Sequence, residues 1–192
     1  MNTVLLYGAE KDMQITNTLL AAVRATGGSA LHITSRTVSM IPPQAKAPDY
    51  LILDGFHFEN LHVGKGIVVF RQGISVMRQA INIPNEFCAI VDPANAEAVN
   101  ALRKSCMQTI TCGMSRRDTV TFSSLGSGEA VISLQRALQS LDGSAVEPRE
   151  LPVRFGAGHG EYALLACVAA LLLCGGVPEG ELSLCQPNEL PC

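Results

Sequence analysis

Tryptophan is absent from this sequence, and charged residues make up only 16% of it. So little charge argues against a disordered chain, and the 47% hydrophobic content predicts a filled interior. A basic excess is also missing, because 14 Lys and Arg stand against 17 Asp and Glu, a net charge of -3. Duplex binding needs clustered cations to displace counterions, which argues against nucleic acid as a main partner. Long hydrophobic runs are lacking too. The longest, from Tyr162 to Cys174, falls short of the roughly 20 residues a membrane span needs and reads as a buried helix. The opening MNTVLLYGAEKDM has an apolar stretch of only about five residues and no basic lead, so it does not read as an export signal. The expectation is a cytoplasmic protein with no membrane partner.

Paired cysteines are missing as well. The seven present, Cys88, Cys106, Cys112, Cys167, Cys174, Cys185 and Cys192, are odd in number, scattered, and form no C-x-x-C. A disulfide frame or structural zinc site wants an even, clustered set. Most are therefore expected to be free thiols filling the core, with Cys192 exposed at the end.

What is present is a regular alternation of elements. Val4–Tyr7 is a short apolar run closed by Gly8, which suits a buried strand. Ile15, Leu19, Leu20 and Val23 recur at helical spacing over Gln14–Ala25 until Gly27-Gly28 stops the pattern. Ala30–Ile33 follows as a strand, and Pro42, Pro43 and Pro48 mark a loop. Tyr50–Asp54, Gly66–Phe70, Phe87–Val91 and Thr109–Cys112 read as further strands, with a helix from Ala94 to Lys104 before the last. Short apolar strands alternating with helices predict an α/β fold, a mostly parallel sheet with helices on both faces. Beyond Gly113 the texture changes. Thr119–Phe122, Ala130–Leu134 and Leu151–Phe155 predict a small antiparallel patch over about residues 118–156, with Asp142-Gly143 as a turn. Glu161–Cys174 is a strongly apolar helix stopped by Gly175-Gly176, and Pro178 is expected to open a last short helix. With 192 residues and no repeat or low-complexity linker, the chain reads as one domain, 1–192.

Several short motifs sit at the joints of this pattern. Tyr7-Gly8-Ala9-Glu10-Lys11-Asp12-Met13 joins the first strand to the first helix. Tyr50-Leu51-Ile52-Leu53-Asp54 runs into Gly55-Phe56-His57. Ala89-Ile90-Val91-Asp92-Pro93, Thr111-Cys112-Gly113 and Gly158-His159-Gly160 follow, the last entering the Ala/Leu-rich helix. In this order they resemble the central ATP-binding domain of the Mur ligases and folylpolyglutamate synthase-like enzymes, a P-loop NTPase-like fold, over nearly the whole chain. The resemblance implies ATP and Mg2+ as cofactors. Gly8, Lys11, Asp12, Thr16 and His159 would lie around the nucleotide, with Asp54 and His57 as metal ligands. Asp54 stands where the family has Glu, and His57 comes one residue early. Gly160 replaces the Asn of the family's G-x-H-N.

The family's loop is T-G-T-N-G-K-T. Aligned without a gap, Lys11 stands at its second Gly, Asp12 at its Lys and Met13 at its Thr. In a working phosphate loop glycine lets backbone N–H groups close on the phosphates, Lys neutralises their oxygens and a hydroxyl holds Mg2+. One charge pair at about 4 Å and an effective dielectric near 20 is worth roughly 4 kcal/mol, so an acid beside phosphate reverses a large term. A one-residue gap lets Lys11 serve as the phosphate lysine but leaves a thioether where the hydroxyl belongs. The plain reading of the loop is a strand-to-helix turn with Asp12 as N-cap. Likewise Asp54 can satisfy loop N–H groups, His57 can be structural, and His159 can cap or pack at its helix start.

No catalytic residue stands out. Ser115, Ser123, Ser124 and Ser127 lack a nucleophile-elbow context, and no Cys/His pair forms a recognisable motif. Arg116-Arg117 reads as a solvated turn, and His62 carries no pattern. The favoured functional reading is a catalytically inactive Mur-ligase-like domain acting as a binding module, as a homodimer or with an intact ligase as partner. Its link to cell-wall precursor synthesis comes from the resemblance alone. Loop chemistry counts against ligation, as does the lack of room in 192 residues for the family's substrate and amino-acid domains. The rival is an ATP-binding ligase or ligase subunit with a rearranged phosphate loop. A binder of another small molecule in the same strand-end crevice is a third.

Overall fold

The computed structural model describes residues 1–8, 12–43, 45, 47–55, 63–72, 83–103, 105–178 and 180–185. Lys11, His57, His62, Lys104 and Cys192 lie outside them. The elements in chain order are β1 (Asn2–Tyr7), α1 (Gln14–Ala25), β2 (Ala30–Ile33), β3 (Val38–Ile41), β4 (Tyr50–Asp54), β5 (Gly66–Phe70), β6 (Phe87–Val91), α2 (Ala96–Leu102) and β7 (Thr109–Thr111). They continue with β8 (Val120–Leu125), β9 (Glu129–Leu134), β10 (Leu138–Gln139), β11 (Ala145–Val146), β12 (Arg149–Arg154), α3 (Glu161–Cys174) and β13 (Leu182–Ser183).

Seven strands form one sheet in the order β3-β2-β4-β1-β5-β6-β7. Every neighbouring pair is parallel except β2 and β3, which pair antiparallel. β1 therefore lies inside the sheet with β4 on one side and β5 on the other. Its C-terminal end belongs to the edge at which open α/β sheets take ligands.

The central strands β1, β4, β5 and β6 are largely apolar because both faces are covered, and alternation along each strand divides the side chains between two clusters. Val4, Leu6, Ile52, Ile67, Val69 and Ile90 join α1, α3 and the second sheet. Leu5, Tyr7, Leu53, Val68, Phe70 and Val91 point the other way, towards Ala98 and Leu102 of α2. The fold is thus α/β with helices on both faces, as expected. α3 touches α1, β5, β6 and β8, and every residue from Tyr162 to Leu173 is buried. A helix apolar on all sides is stable in water only when wrapped in this way. No helix among the described residues is long and apolar enough to cross a membrane.

The second sheet has the order β13-β12-β9-β8. β8, β9 and β12 are antiparallel, and β10 and β11 form a separate hairpin around Asp142-Gly143, with Gly143 at φ +93°. The sheet is not purely antiparallel, however. Leu182 lies opposite Val153 in parallel register, so a strand stands where Pro178 suggests a helix. Leu182 and Leu184 are buried while Ser183 between them is exposed, and that period of two selects a strand.

Other differences are local. Val38–Ile41 pairs with β2 inside the stretch read as loop, and Cys112 contributes only a bridge to Val120 beyond β7. α2 begins two residues later than Ala94, because the side chain of Asn95 caps it by accepting from the backbone N–H of Ala98 at 3.1 Å. The same amide donates to the Arg71 carbonyl at 3.0 Å. Asn95→Ala is expected to cost about 1–2 kcal/mol, a lost cap plus a lost hydrogen bond. Urea unfolding should show this as a lower midpoint at unchanged slope.

Candidate functional site

The C-terminal ends of β1, β4 and β5 and the first turns of α1 form the candidate site. β4 lies beside β1 in register, with Asp54 opposite Leu6. β5 flanks β1 on the other side, and pairing continues past its end where the Arg71 N–H donates to the Tyr7 carbonyl at 2.8 Å. Asp54 and Arg71 thus close two apolar strands on either side of β1, and their side chains meet across its end. Arg71 is 0% exposed and Asp54 is 3% exposed.

Arg71 Nη2 donates to Asp54 Oδ1 and to Thr16 Oγ1, both at 2.7 Å. Thr16 Oγ1 donates to Asp54 Oδ2, also at 2.7 Å. His32 Nε2, from β2, lies 3.4 Å from Asp54 Oδ2. Both carboxylate oxygens are therefore engaged. Burial pushes the Asp54 carboxyl up, but the bonds from His32 and Thr16 and the Arg71 charge outweigh it and hold it below the usual carboxylate value. The result is a buried, charge-balanced network joining β2, β4, β5 and α1.

The residues named from sequence separate into groups. Thr16 and Asp54 meet in this network. Gly8 turns the chain out of β1 at φ +138°, a conformation open to glycine. Asp12 is not the N-cap of α1. That position is Met13, which makes no side-chain cap bond, while Asp12 Oδ1 accepts from the Gln14 N–H at 3.1 Å. An Asp two residues before the N–H it serves forms a local turn that takes up one of the helix's unbonded amides. Met13 is 40% exposed.

His159 lies away from the network. Its Nδ1 is 2.7 Å from Thr18 Oγ1, and Thr18 is about 200° around α1 from Thr16. The N-cap of α3 is Gly160, so His159 joins α3's entrance to α1. A Cβ at Gly160 would stand 2.2 Å from Gln14 Oε1, so an Asn there would have to displace that side chain. Lys11 and His57 fall outside the described residues.

Sequence reasoning did not single out Arg71, His32, Gln72 or Tyr162. Gln72 Nε2 donates to Asp92 Oδ2 at 2.5 Å, and the Tyr162 hydroxyl donates to the Phe70 carbonyl at 2.6 Å. These bonds tie α3 and the end of β6 to the same edge. Cys112 and Cys167 are buried thiols. Burial pushes Cys112 well up, with Asp118 and Asp92 adding to the effect, and pushes Cys167 up to about 12. A thiol so raised stays protonated and packs as a small apolar group.

No family model matches the chain, and no curated protein does. Solved structures do resemble it. A UDP-N-acetylmuramoyl-L-alanyl-D-glutamate–2,6-diaminopimelate ligase superimposes with a TM-score of 0.53 at 7% identity, over 91% of this chain and 43% of that one. The UDP-N-acetylmuramate:L-alanyl-gamma-D-glutamyl-meso-diaminopimelate ligase of Neisseria meningitides gives 0.52 at 9% identity, covering 94% and 65%. A murein peptide ligase of Psychrobacter arcticus gives 0.53 at 9% identity, covering 92% and 46%. The chain thus spans less than two thirds of each of these ligases. At such identities the likeness speaks for architecture alone, and the chain has the α/β fold of the Mur ligases.

Proposed function

We propose that this chain is a non-ligating relative of the cell-wall precursor ligases, a module that works by binding rather than by ATP-driven amide formation. The observation that carries this reading is the state of Asp54. A carboxylate that is to hold Mg2+ must present free oxygen lone pairs, in a near-octahedral shell completed by hydroxyl and water. Here one oxygen is bound to a buried guanidinium, the other accepts from Thr16, and that hydroxyl is also the acceptor for Arg71. A divalent cation and the Arg71 guanidinium repel one another and compete for the same oxygens. Among the described residues, this donor set does not fit Mg2+.

The loop gives separate support. Asp12 carries a negative charge where phosphate oxygens would gather, and Met13 offers a thioether, a poor ligand for a hard cation. Titration of the chain with Mg-ATP in a calorimeter is expected to give no binding up to about 1 mM. A Kd below about 100 μM that disappears in Lys11→Ala would instead establish a nucleotide site built on Gly8, Lys11, Thr16, Asp54 and His57.

A further inference from the structure

Two apolar rows cross the main sheet and run out at its β3 edge. Leu53 of β4, Ile33 of β2 and Val38 of β3 lie side by side in register, as do Leu51, Leu31 and Met40. Both rows lie on the α2 face, where Leu53, Ile33 and Leu51 pack. Exposure grows outward. Leu53 is buried, Ile33, Leu51, Leu31 and Met40 are half-buried, and Val38 is 68% exposed. The backbone of this edge is open as well. Where β2 turns into β3, the Thr34 N–H donates to the Thr37 carbonyl at 2.8 Å. Antiparallel pairs alternate between bonded and unbonded, so Ser39 directs its N–H and carbonyl to His32, while Val38 and Met40 turn theirs outward. Among the described residues no hydrogen bond reaches those outward groups. The other sheet edges are short or irregular: β7 has three residues, β13 has two, and β8 is bulged between Phe122 and Ser124. β3 pairs over four residues without a bulge and carries no charge. Edges are ordinarily blunted by charge, proline or a bulge, so a regular, neutral, apolar edge is a place for another strand.

We propose that this strand is β3 of a second copy of the chain, paired antiparallel about a two-fold axis through Ser39. That axis sets Val38 opposite Met40 of the second copy, so the outward N–H and carbonyl groups meet as reciprocal bonded pairs. It also keeps each sheet face on its own side. The row Leu53–Ile33–Val38 then continues into Met40, Leu31 and Leu51 of the second copy, and the exposed ends of the rows cover one another. No like charges are brought together, because Val-Ser-Met-Ile has none. An unrelated peptide would have to reproduce this alternation, whereas a second copy has it by symmetry. The pairing names a partner for the binding module but rests on the edge alone. A monomeric chain would overturn it and leave the expected silence towards Mg-ATP standing.

Contact through one strand is small, so the dimer is expected to be weak. Sedimentation equilibrium should show the average mass rising from one chain at about 1 μM towards two at about 1 mM. Val38→Lys, at an exposed site, is expected to raise the dissociation constant roughly tenfold or more, and Met40→Glu should weaken the dimer too. Val38→Lys/Met40→Glu should dimerise more tightly than either single variant, since the register sets each new cation against a new anion. Urea unfolding of each variant checks that the fold is kept. A chain monomeric throughout overturns the proposal, and a synthetic peptide of residues 36–42 that binds such a monomer would assign the edge to an extended partner instead. A dimer that Val38→Lys does not weaken, or a double variant no tighter than the singles, overturns it as well.

Discussion

Asp54→Ala is expected to destabilise the fold by about 3–5 kcal/mol at neutral pH, the cost of stranding one member of a buried ion pair. For a chain of this length that corresponds to a melting temperature lower by roughly 10 °C. The expectation follows from Arg71 being wholly buried with Asp54 as its counter-ion at 2.7 Å. Without the carboxylate, the buried guanidinium loses its counter-ion. Asp54→Asn isolates the charge and adds a pH signature. The folded Asp54 carboxyl titrates below its ordinary value: burial raises it, and His32, Thr16 and Arg71 together lower it further. A depressed carboxyl contributes stability above the unfolded value near 3.9, and that stability is lost as pH falls through the folded value. The gap between wild type and Asp54→Asn should therefore be constant above about pH 6 and shrink below about pH 4. Urea unfolding across that range measures it. A gap that widened in acid would mean Asp54 is held protonated in the fold, and the network would have to be redrawn.

Much of the architecture is legible in the residues because the local rules agree with the fold. α1 and α3 occupy the spans read from apolar periodicity and the Gly-Gly stops, and β2, β4, β5 and β6 coincide with their apolar runs. Where sequence reading falls short, the local pattern is mixed. Val38–Ile41 is an edge strand with Val38 68% exposed, so V-S-M-I shows neither a clean alternation nor an unbroken apolar run. β13 has only two residues, and its parallel place depends on a surface that β12 and α1 build elsewhere in the chain. A proline at a helix-opening position carries no information about such a partner.

The site is less legible than the fold. Thr16 and Asp54 are 38 residues apart, and Asp54 and Arg71 are 17 apart. Only the strand order brings them together, since β4 and β5, consecutive in the sequence, lie in the sheet on either side of β1. A signal does exist in hindsight. Tyr50–Leu53 and Gly66–Phe70 are apolar runs, each closed by a charged residue, and the two charges are opposite. Two buried parallel strands that end in opposite charges at the same edge are placed to pair, once β1 is known to lie between them. Resemblance drew attention to the acid because the family has an acid there, and gave no reason to look at the arginine.

Packing sets a second large effect on the far face of the same strands. Gly66 opens β5 opposite Phe87 of β6 on one side and Thr3 of β1 on the other. A Cβ on Gly66 would lie 2.5 Å from Phe87 Cζ and 2.9 Å from the Thr3 carbonyl oxygen. The Phe87 ring therefore lies over the bare α-carbon. Phe87→Ala is expected to cost about 3–5 kcal/mol, since the ring is buried and leaves a cavity against Leu5, Val68 and Phe70. Gly66→Ala alone is expected to cost about 1–3 kcal/mol, although Ala ordinarily stabilises a strand by up to about 1 kcal/mol over Gly. The two should not add. With the ring gone the new methyl loses its two nearest clashes and keeps the one with the Thr3 carbonyl, so Gly66→Ala/Phe87→Ala is expected to be more stable than the sum predicts by about 1–2 kcal/mol. Denaturant unfolding of the four proteins closes this cycle. Strict additivity would place the ring elsewhere, and with it the register between β5 and β6.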